Sequence, residues 1–409
     1  HTLAIVLGNG RYFSTRYEGS GRMRHFGFPK LLAQLVVTYK DGSKQVIASD
    51  TIWKITPDGP LRANNEFDGE TYDARKELTG WNTTAYDDGH WLQAETVEAP
   101  KGRLSAQLNR NIKVMETLKP KHIKALSPKH SMLHMGQSMV GWLHIKVRAQ
   151  RGDTIRMRFA ETLKADGTLY TANLRGADAT DWYVCKGEGE ETWEPLFVYH
   201  GFRYVEVTGA TFNLDDFTGK VGYDEMETTG HFSTSDATLN QLYQNGYWGI
   251  RGNYRSLPTD CPQRDERQGW LGDRTTGAYG ENYLFGAYGL YVKWLQDIEE
   301  AQRADGSIPD VAPIFWNWQG YTDNMTWPHA YLTVSDMLYR QYGDLQPIRQ
   351  HYSSIKKWMD YMRDKYLQDG IMTRDKYGDW CVPPESPKLI HSKDSTRMTN
   401  APLLGTAYY

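Results

Sequence analysis

The sequence predicts a multidomain β + α protein, with an all-β N-terminal half followed by an α-domain of helical hairpins. Three observations carry this expectation. The chain has 409 residues, well above the commonest domain size of about 100–150 residues, so two or three domains are expected. Hydrophobic residues make up 39% and charged residues 24%, which is enough apolar material for packed cores and excludes a disordered chain. The apolar period also changes between residues 222 and 229, from alternation to three- and four-residue spacing.

In the first half, Leu32–Tyr39, Trp142–Arg148, Thr154–Phe159 and Phe202–Thr208 alternate apolar and polar residues and read as half-buried strands. Asp41-Gly42, Arg151-Gly-Asp153 and Asp166-Gly167 fall between such runs at turn positions, which suits an antiparallel sandwich better than βαβ units. In the second half, Thr238–Asn253, Gly277–Arg303, Trp327–Tyr342 and Leu345–Tyr366 carry helical spacing, and a further apolar helix is expected from about Ala401. Loops rich in Gly, Pro and Asp separate them, notably Asp305–Asp310 and Asp379–Lys388.

Composition excludes several function classes. Lys plus Arg is 47 against 50 for Asp plus Glu, a formal charge of -3, so no global basic field exists to collect nucleic acid or an anionic membrane. The mean hydropathy is -0.66, and no apolar run approaches the 18 or so residues of a spanning helix. Cys185, Cys261 and Cys381 are far apart, with no CxxC pair and no histidine at zinc spacing, so neither a disulfide framework, a structural metal nor a cofactor is expected. The sequence opens at His1 with no initiator Met, basic n-region or apolar h-region, as expected where an export signal was either removed or never present; a periplasmic or extracellular location is expected over a cytoplasmic one. The 14 Trp and 27 Tyr suit either sugar-ring platforms or aromatic cores, and position has to decide between them.

The densest chemistry lies in Leu257–Asp273, with the carboxylates Asp260, Asp265, Glu266 and Asp273, the arginines Arg264 and Arg267, and Trp270. If the segment after Pro262 is helical, Glu266, Trp270 and Asp273 stand at i, i+4 and i+7, and seven steps close to within about 20°. One face would then carry acid, indole, acid. Cleavage of a glycosidic bond needs such a face: a carboxylic acid to protonate the leaving oxygen, carboxylates to grip ring hydroxyls, and an aromatic wall. The competing reading is a solvated charge cluster with Asp260 as N-cap and the two arginines as ion-pair partners. Gly269 and Gly272 favour the first, because Gly inside a helix costs roughly 1 kcal/mol against Ala and marks a close approach.

Asp260-Cys-Pro-Gln-Arg-Asp-Glu-Arg-Gln-Gly-Trp-Leu-Gly-Asp273 resembles the signature of bacterial α-L-rhamnosidases of glycoside hydrolase family 78. The resemblance extends upstream. Asn64-Asn65 with Asp68–Arg75 and Gly80-Trp81 is similar to that family's N-terminal sandwich. Met135–Trp142, Arg158–Glu161, Asn173–Arg175 and His200–Val205 are similar to its second. It implies two antiparallel β-sandwich domains, 1–115 (without the sandwich's usual start) and 116–224, followed by an (α/α)6 barrel over 225–409. The implied activity is inverting hydrolysis that releases terminal α-linked L-rhamnose from a glycoside or oligosaccharide. Glu266 matches the general acid, Asp260 and Asp273 the hydroxyl-binding carboxylates, Arg264 a substrate-side arginine and Trp270 a subsite wall. Lys376–Trp380 resembles the loop that brings Asp379 and Trp380 to the pocket. At Gly320–Asp323 many relatives carry Trp before Gly-Asp; here Tyr321 is the implied wall residue and Asp323 a polar one.

Other readings are carried alongside. Another (α/α)6-barrel glycosidase or a phosphorylase would share the architecture, and a non-catalytic sugar-binding protein would share the aromatics. Trp316, Trp318 and Trp327 are expected in the barrel core, His200 as a satisfied structural histidine, and Cys261 as a buried thiol, with no nearby histidine to activate it. Inversion needs a second carboxylate roughly 6.5–9.5 Å from the acid, and the resemblance puts that residue in a later barrel segment than any of these. Twelve helices with their connections need roughly 160–240 residues, so the 229–409 span is expected to form part of a barrel. The expected partner is the barrel's C-terminal part or a further chain segment.

Overall fold

The structure, a computed structural model, describes residues 2–14, 26–315, 320–378 and 399–409. They group into a β unit, His1–Ala106 with Glu116–Gly222 and Gln263–Asp265, and an α unit, Gln107–Met115 with Tyr223–Pro262 and Glu266–Tyr409.

Within the β unit, β1 (Gln34–Thr38) and β2 (Lys44–Ala48) form an antiparallel hairpin around Asp41-Gly42, where Gly42 takes φ +85. β3 (Lys54–Ile55) pairs with β6 (Leu92–Gln93). The main sheet has ten strands: β4 (Leu61–Asn65), β5 (Gly69–Asp73), β7 (Ile112–Leu118), β8 (His122–Ser127), β9 (His130–Arg148), β10 (Thr154–Ala160), β13 (Thr180–Val184), β14 (Glu190–Trp193), β15 (His200–Thr208) and β16 (Phe217–Asp224). Its order is β4-β5-β13-β10-β15-β9-β16-β7, with β8 and β14 also on β9, and a small hairpin of β11 (Thr162–Leu163) and β12 (Leu169–Tyr170) stands apart from it. The expected alternation is realised: Leu143 and Ile145 on β9, Ile155, Met157 and Phe159 on β10, and Val205 and Val207 on β15 are fully buried. His200 is also fully buried, its Nε2 is 3.0 Å from Asp181 Oδ1, and its ring stacks on Phe159.

One expectation is corrected here. β4 and β5 of the first segment do not belong to a separate antiparallel sheet, because β5 runs parallel to β13, with Thr71 to Asp73 opposite Trp182 to Val184, and so extends the sheet of the second segment. Gly69, at φ +111, permits the approach, since a Cβ there would lie 2.1 Å from the Thr180 carbonyl oxygen. The next residue locks it: the Glu70 N–H donates to Asp181 Oδ1 at 3.0 Å, and the Glu70 carboxylate accepts the Leu196 and Phe197 N–H groups at 3.1 Å. Alternation within one strand carries no information about a partner 111 residues away.

Glu70 is fully buried, and burial pushes its carboxyl up from 4.5 to about 7. A folded-state value above the unfolded one means that the folded chain binds the extra proton, so this contribution to stability is present below about pH 4.5 and is lost as pH rises through about 7. The size is about 3 kcal/mol at most. Glu70→Gln should therefore flatten the fall in β-unit stability between about pH 4.5 and 7 in denaturant titrations. An unchanged pH slope in the variant contradicts this.

The α unit contains α1 (Ala237–Arg251), α2 (Leu271–Leu284), α3 (Tyr288–Ala301), α4 (Ala330–Tyr342), α5 (Gln346–Tyr366), the hairpin β17 (Leu367–Gln368) and β18 (Ile371–Met372), and α6 (Ala401–Tyr408). Asp236 caps α1 by accepting the Thr238 and Leu239 N–H groups, and Gly343, at φ +71, ends α4. α4 packs against α2, α3 and α5, and the fully buried Tyr291, Trp294, Leu295, Tyr331, Val334 and Leu338 fill the space between them. No helix among the described residues is long and apolar enough to cross a membrane.

The single helix expected over Gly277–Arg303 is two helices. Thr228 bridges Phe285, and the Gly286 N–H donates to the Glu227 carbonyl at 2.9 Å, so the backbone at 285–286 bonds outside the helix. The buried Phe285 and Ala287 at the break keep the apolar pattern continuous through it.

Candidate active site

The signature is not helical before Leu271, which corrects the expected helical face. Asp260 and Gln268 close a loop instead: the Asp260 N–H donates to the Gln268 carbonyl at 2.9 Å, and the Gln268 N–H donates to Asp260 Oδ1 at 2.6 Å. Asp260 is thus a loop clasp and not an N-cap; the N-cap position of α2 is Trp270, without a side-chain cap. Arg267 takes a left-handed φ of +49 and is fully buried, and its N–H points to Cys261 Sγ at 3.4 Å. A turn of this kind cannot continue a helix. On the far side Trp270 bridges Val311, which holds the chain extended up to the first residue of α2.

This loop brings the acid and the indole together by a different route. Glu266 is only 8% exposed, and the Trp270 Nε1–H donates to its Oε1 at 3.0 Å. One oxygen of Asp260, one of Glu266 and the Cys261 sulfur lie within 4.8 Å of one another. That group has the donor types of a metal site, and two of its side chains also close the loop, since Asp260 Oδ1 and the Cys261 sulfur accept backbone N–H groups. The close approach expected at the two glycines is present: a Cβ on Gly269 would lie 2.1 Å from the Ala312 carbonyl oxygen, and one on Gly272 would lie 2.2 Å from the Trp327 indole.

The remaining expected site residues have contacts of their own. Asp273 is exposed in the first turn of α2, where its charge suits the helix N-terminus. Arg264 groups with the β unit, where its charge and an Asn173 Nδ2–H bond at 2.8 Å partly offset the burial that pushes Glu161 up. Tyr321 donates its hydroxyl to the Ala301 carbonyl and lies under the Arg303 guanidinium. Asp323 accepts from Tyr361 at 3.0 Å, from Lys365 at 2.9 Å and from Tyr366. These contacts fasten the 320–323 loop to α3 and α5. Asp379 and Trp380 lie outside the described residues, as do Trp316, Trp318 and Cys381.

Two residues that sequence reasoning missed stand beside the indole. Tyr377 meets Trp270 edge-on at 6.2 Å and packs against Trp327 at 4.7 Å, and its hydroxyl donates to Asp310 Oδ2 at 3.0 Å. Asp310 is fully buried, and burial pushes its carboxyl from 3.8 up to about 7 against the lowering effect of Thr322 and Tyr377. Tyr377 was within reach, since it opens the Tyr-Gly-Asp-Trp run of residues 377–380. Asp310 has no signal beyond a turn-rich loop.

Comparison with known proteins identifies the family. Family models match end to end: the α-L-rhamnosidase N-terminal domain over residues 1–116, the bacterial α-L-rhamnosidase concanavalin-like domain over 124–223 and the bacterial α-L-rhamnosidase 6 hairpin glycosidase domain over 227–409. An α-L-rhamnosidase of Streptomyces avermitilis is 40% identical over 88% of this chain, which covers 35% of that protein. Among solved structures, an α-L-rhamnosidase from Dictyoglumus thermophilum superposes with a TM-score of 0.89 at 40% identity, over 98% of this chain and 44% of that one. The Streptomyces avermitilis enzyme complexed with L-rhamnose gives 0.84 at 39% identity, over 92% and 35%. The chain thus spans less than half the length of these relatives.

Proposed function

The chain belongs to the bacterial α-L-rhamnosidase family, and we propose that it serves the hydrolysis of terminal α-linked L-rhamnose with inversion, Glu266 being the proton donor. The carrying observation is the Trp270–Glu266 hydrogen bond inside the clasped loop. An indole N–H can only donate, so Oε1 accepts, and the donated proton is assigned to Oε2. In this reading Oε2 protonates the glycosidic oxygen as the bond to the anomeric carbon breaks. Asp260 and Asp273 hold sugar hydroxyls, with Trp270 as the apolar wall, and the family resemblance implies substrate contacts for Arg264, Asp379 and Trp380. Tyr321 and Asp323 act by holding the neighbouring loop. The six helices of the described residues belong to an (α/α)6 barrel, and none of the described residues is assigned as the base that activates water. Binding of L-rhamnose by the Streptomyces avermitilis relative supports the choice of sugar.

Proton NMR of the first minutes of reaction of the full-length protein on an aryl α-L-rhamnoside tests the reading. The expected first product is β-L-rhamnose, formed without added phosphate. Appearance of the α anomer first, a requirement for phosphate, or binding of rhamnoside without release overturns it.

A further inference from the structure

Asp310 is an ionisable group with no solvent exposure, and every one of its bonds serves the surroundings of Trp270. Its carbonyl accepts the Leu271 N–H at 2.9 Å, directly after the indole. The chain on from Asp310 continues the grip, with Val311 bridging Trp270 and the Ala312 N–H donating to the Gly269 carbonyl at 3.0 Å. The Asp310 N–H donates to the Gly320 carbonyl at 2.8 Å, and the Thr322 hydroxyl reaches both carboxylate oxygens at 3.0 and 2.9 Å, so the 320–322 loop is drawn to the same point. Finally Oδ2 accepts from Tyr377, whose buried ring is wedged between Trp327 and the edge of Trp270. Trp327 in turn rests where Gly272 has no Cβ. The backbone on both sides of Trp270 and one edge of its ring are therefore set from a single carboxylate.

We propose that Asp310 is a positioning residue for the acid: through Tyr377 it fixes the orientation of the Trp270 indole, and so holds the indole N–H on Glu266 Oε1. This rests on the reading of Glu266 as proton donor. A buried carboxyl suits the task because it offers lone pairs to two hydroxyl donors at once, where an apolar residue would leave both unpaired. A small rotation of the indole takes its N–H off Oε1 and shifts the placement of the Glu266 carboxyl. Misplacement of a reacting group by about 1 Å can cost on the order of 10²-fold in rate.

The test uses ¹⁵N-indole-labelled protein and three variants. Trp270→Phe identifies the Trp270 indole resonance, which in the wild type is expected downfield, as for an N–H bonded to a carboxylate. Asp310→Leu and Tyr377→Phe should shift that resonance upfield and lower kcat about tenfold to a hundredfold with KM changed less than about threefold. Asp310→Asn, whose amide oxygen still accepts from Tyr377, should restore most of both. If Asp310→Leu does not fold, Tyr377→Phe decides alone, since it removes one oxygen and keeps the ring. An unmoved indole resonance in folded Tyr377→Phe overturns the proposal. So does a loss of kcat in Asp310→Asn equal to that in Asp310→Leu. Absence of rhamnose release by the wild type refutes the functional reading instead, and the resonance shift still decides the positioning.

Discussion

Glu266→Gln is expected to lower kcat by about 10²- to 10⁴-fold on a rhamnoside with an alkoxide leaving group, the usual contribution of a positioned general acid. The amide keeps the side-chain shape and keeps an oxygen to accept the Trp270 N–H, which Glu266 Oε1 now accepts at 3.0 Å. Thermal unfolding should therefore be nearly unchanged, and the loss should appear in chemistry and not in folding. Leaving-group dependence sharpens the result. A nitrophenolate departs with little help from a proton, so the deficit on a nitrophenyl rhamnoside should be much smaller than that on a disaccharide. Near wild-type kcat on the poor leaving group removes Glu266 from the acid role, whatever the effect on binding.

The sequence carried the local parts of this structure and lost the ones set by distant partners. Strand alternation at Thr154–Phe159 and helical spacing at Leu345–Tyr366 are decided within the segment, and both appear in the structure nearly where the pattern put them, as β10 and α5. The break at 285–287 was invisible because the residues that cause it, Glu227 and Thr228, pair by backbone and leave the apolar spacing intact. The joining of β5 to β13 was invisible for the same reason. At the site, the residue types were legible and their geometry was not. Glu266 and Trp270 do meet, but across a loop clasped by Asp260 and Gln268 and turned at Arg267. The i, i+4 spacing suggested the right pair for the wrong reason. Asp310 lies 44 positions after Glu266, in a loop whose role depends on a bridge to Trp270 that no pattern announces.

The largest stability effect is expected at Glu281, on the core-facing side of α2. Its Oε2 accepts the hydroxyls of Tyr254 at 2.9 Å and Tyr291, and its Oε1 lies 3.3 Å from Arg274 NH1, with all four side chains buried. Burial first, and then the Glu281 charge, push both phenols well above their ordinary value, so they stay protonated donors. Glu281→Ala would strand a buried guanidinium and two phenolic hydroxyls, at a cost of about 3–5 kcal/mol, the usual penalty for breaking a buried pair from one side. Glu281→Gln keeps an acceptor for the phenols and loses only the charge, so it should fall between the alanine variant and wild type. Tyr254→Phe removes one hydrogen bond and should cost about 1 kcal/mol. Because the chain holds two compact units, one melting temperature does not describe it; hydrogen exchange resolved by segment is the right measurement. Protection should fall in α2, α3 and the loop before Asp260 and stay unchanged in β9, β10 and β15. The loop belongs with the helices because Arg274 NH2 donates to the Thr259 carbonyl at 3.0 Å, so the ion pair that stabilises α2 also anchors the residue next to the Asp260 clasp. A loss below about 1 kcal/mol in Glu281→Ala would mean that Arg274 finds another partner or reaches water, and the anchoring role would then fall with it.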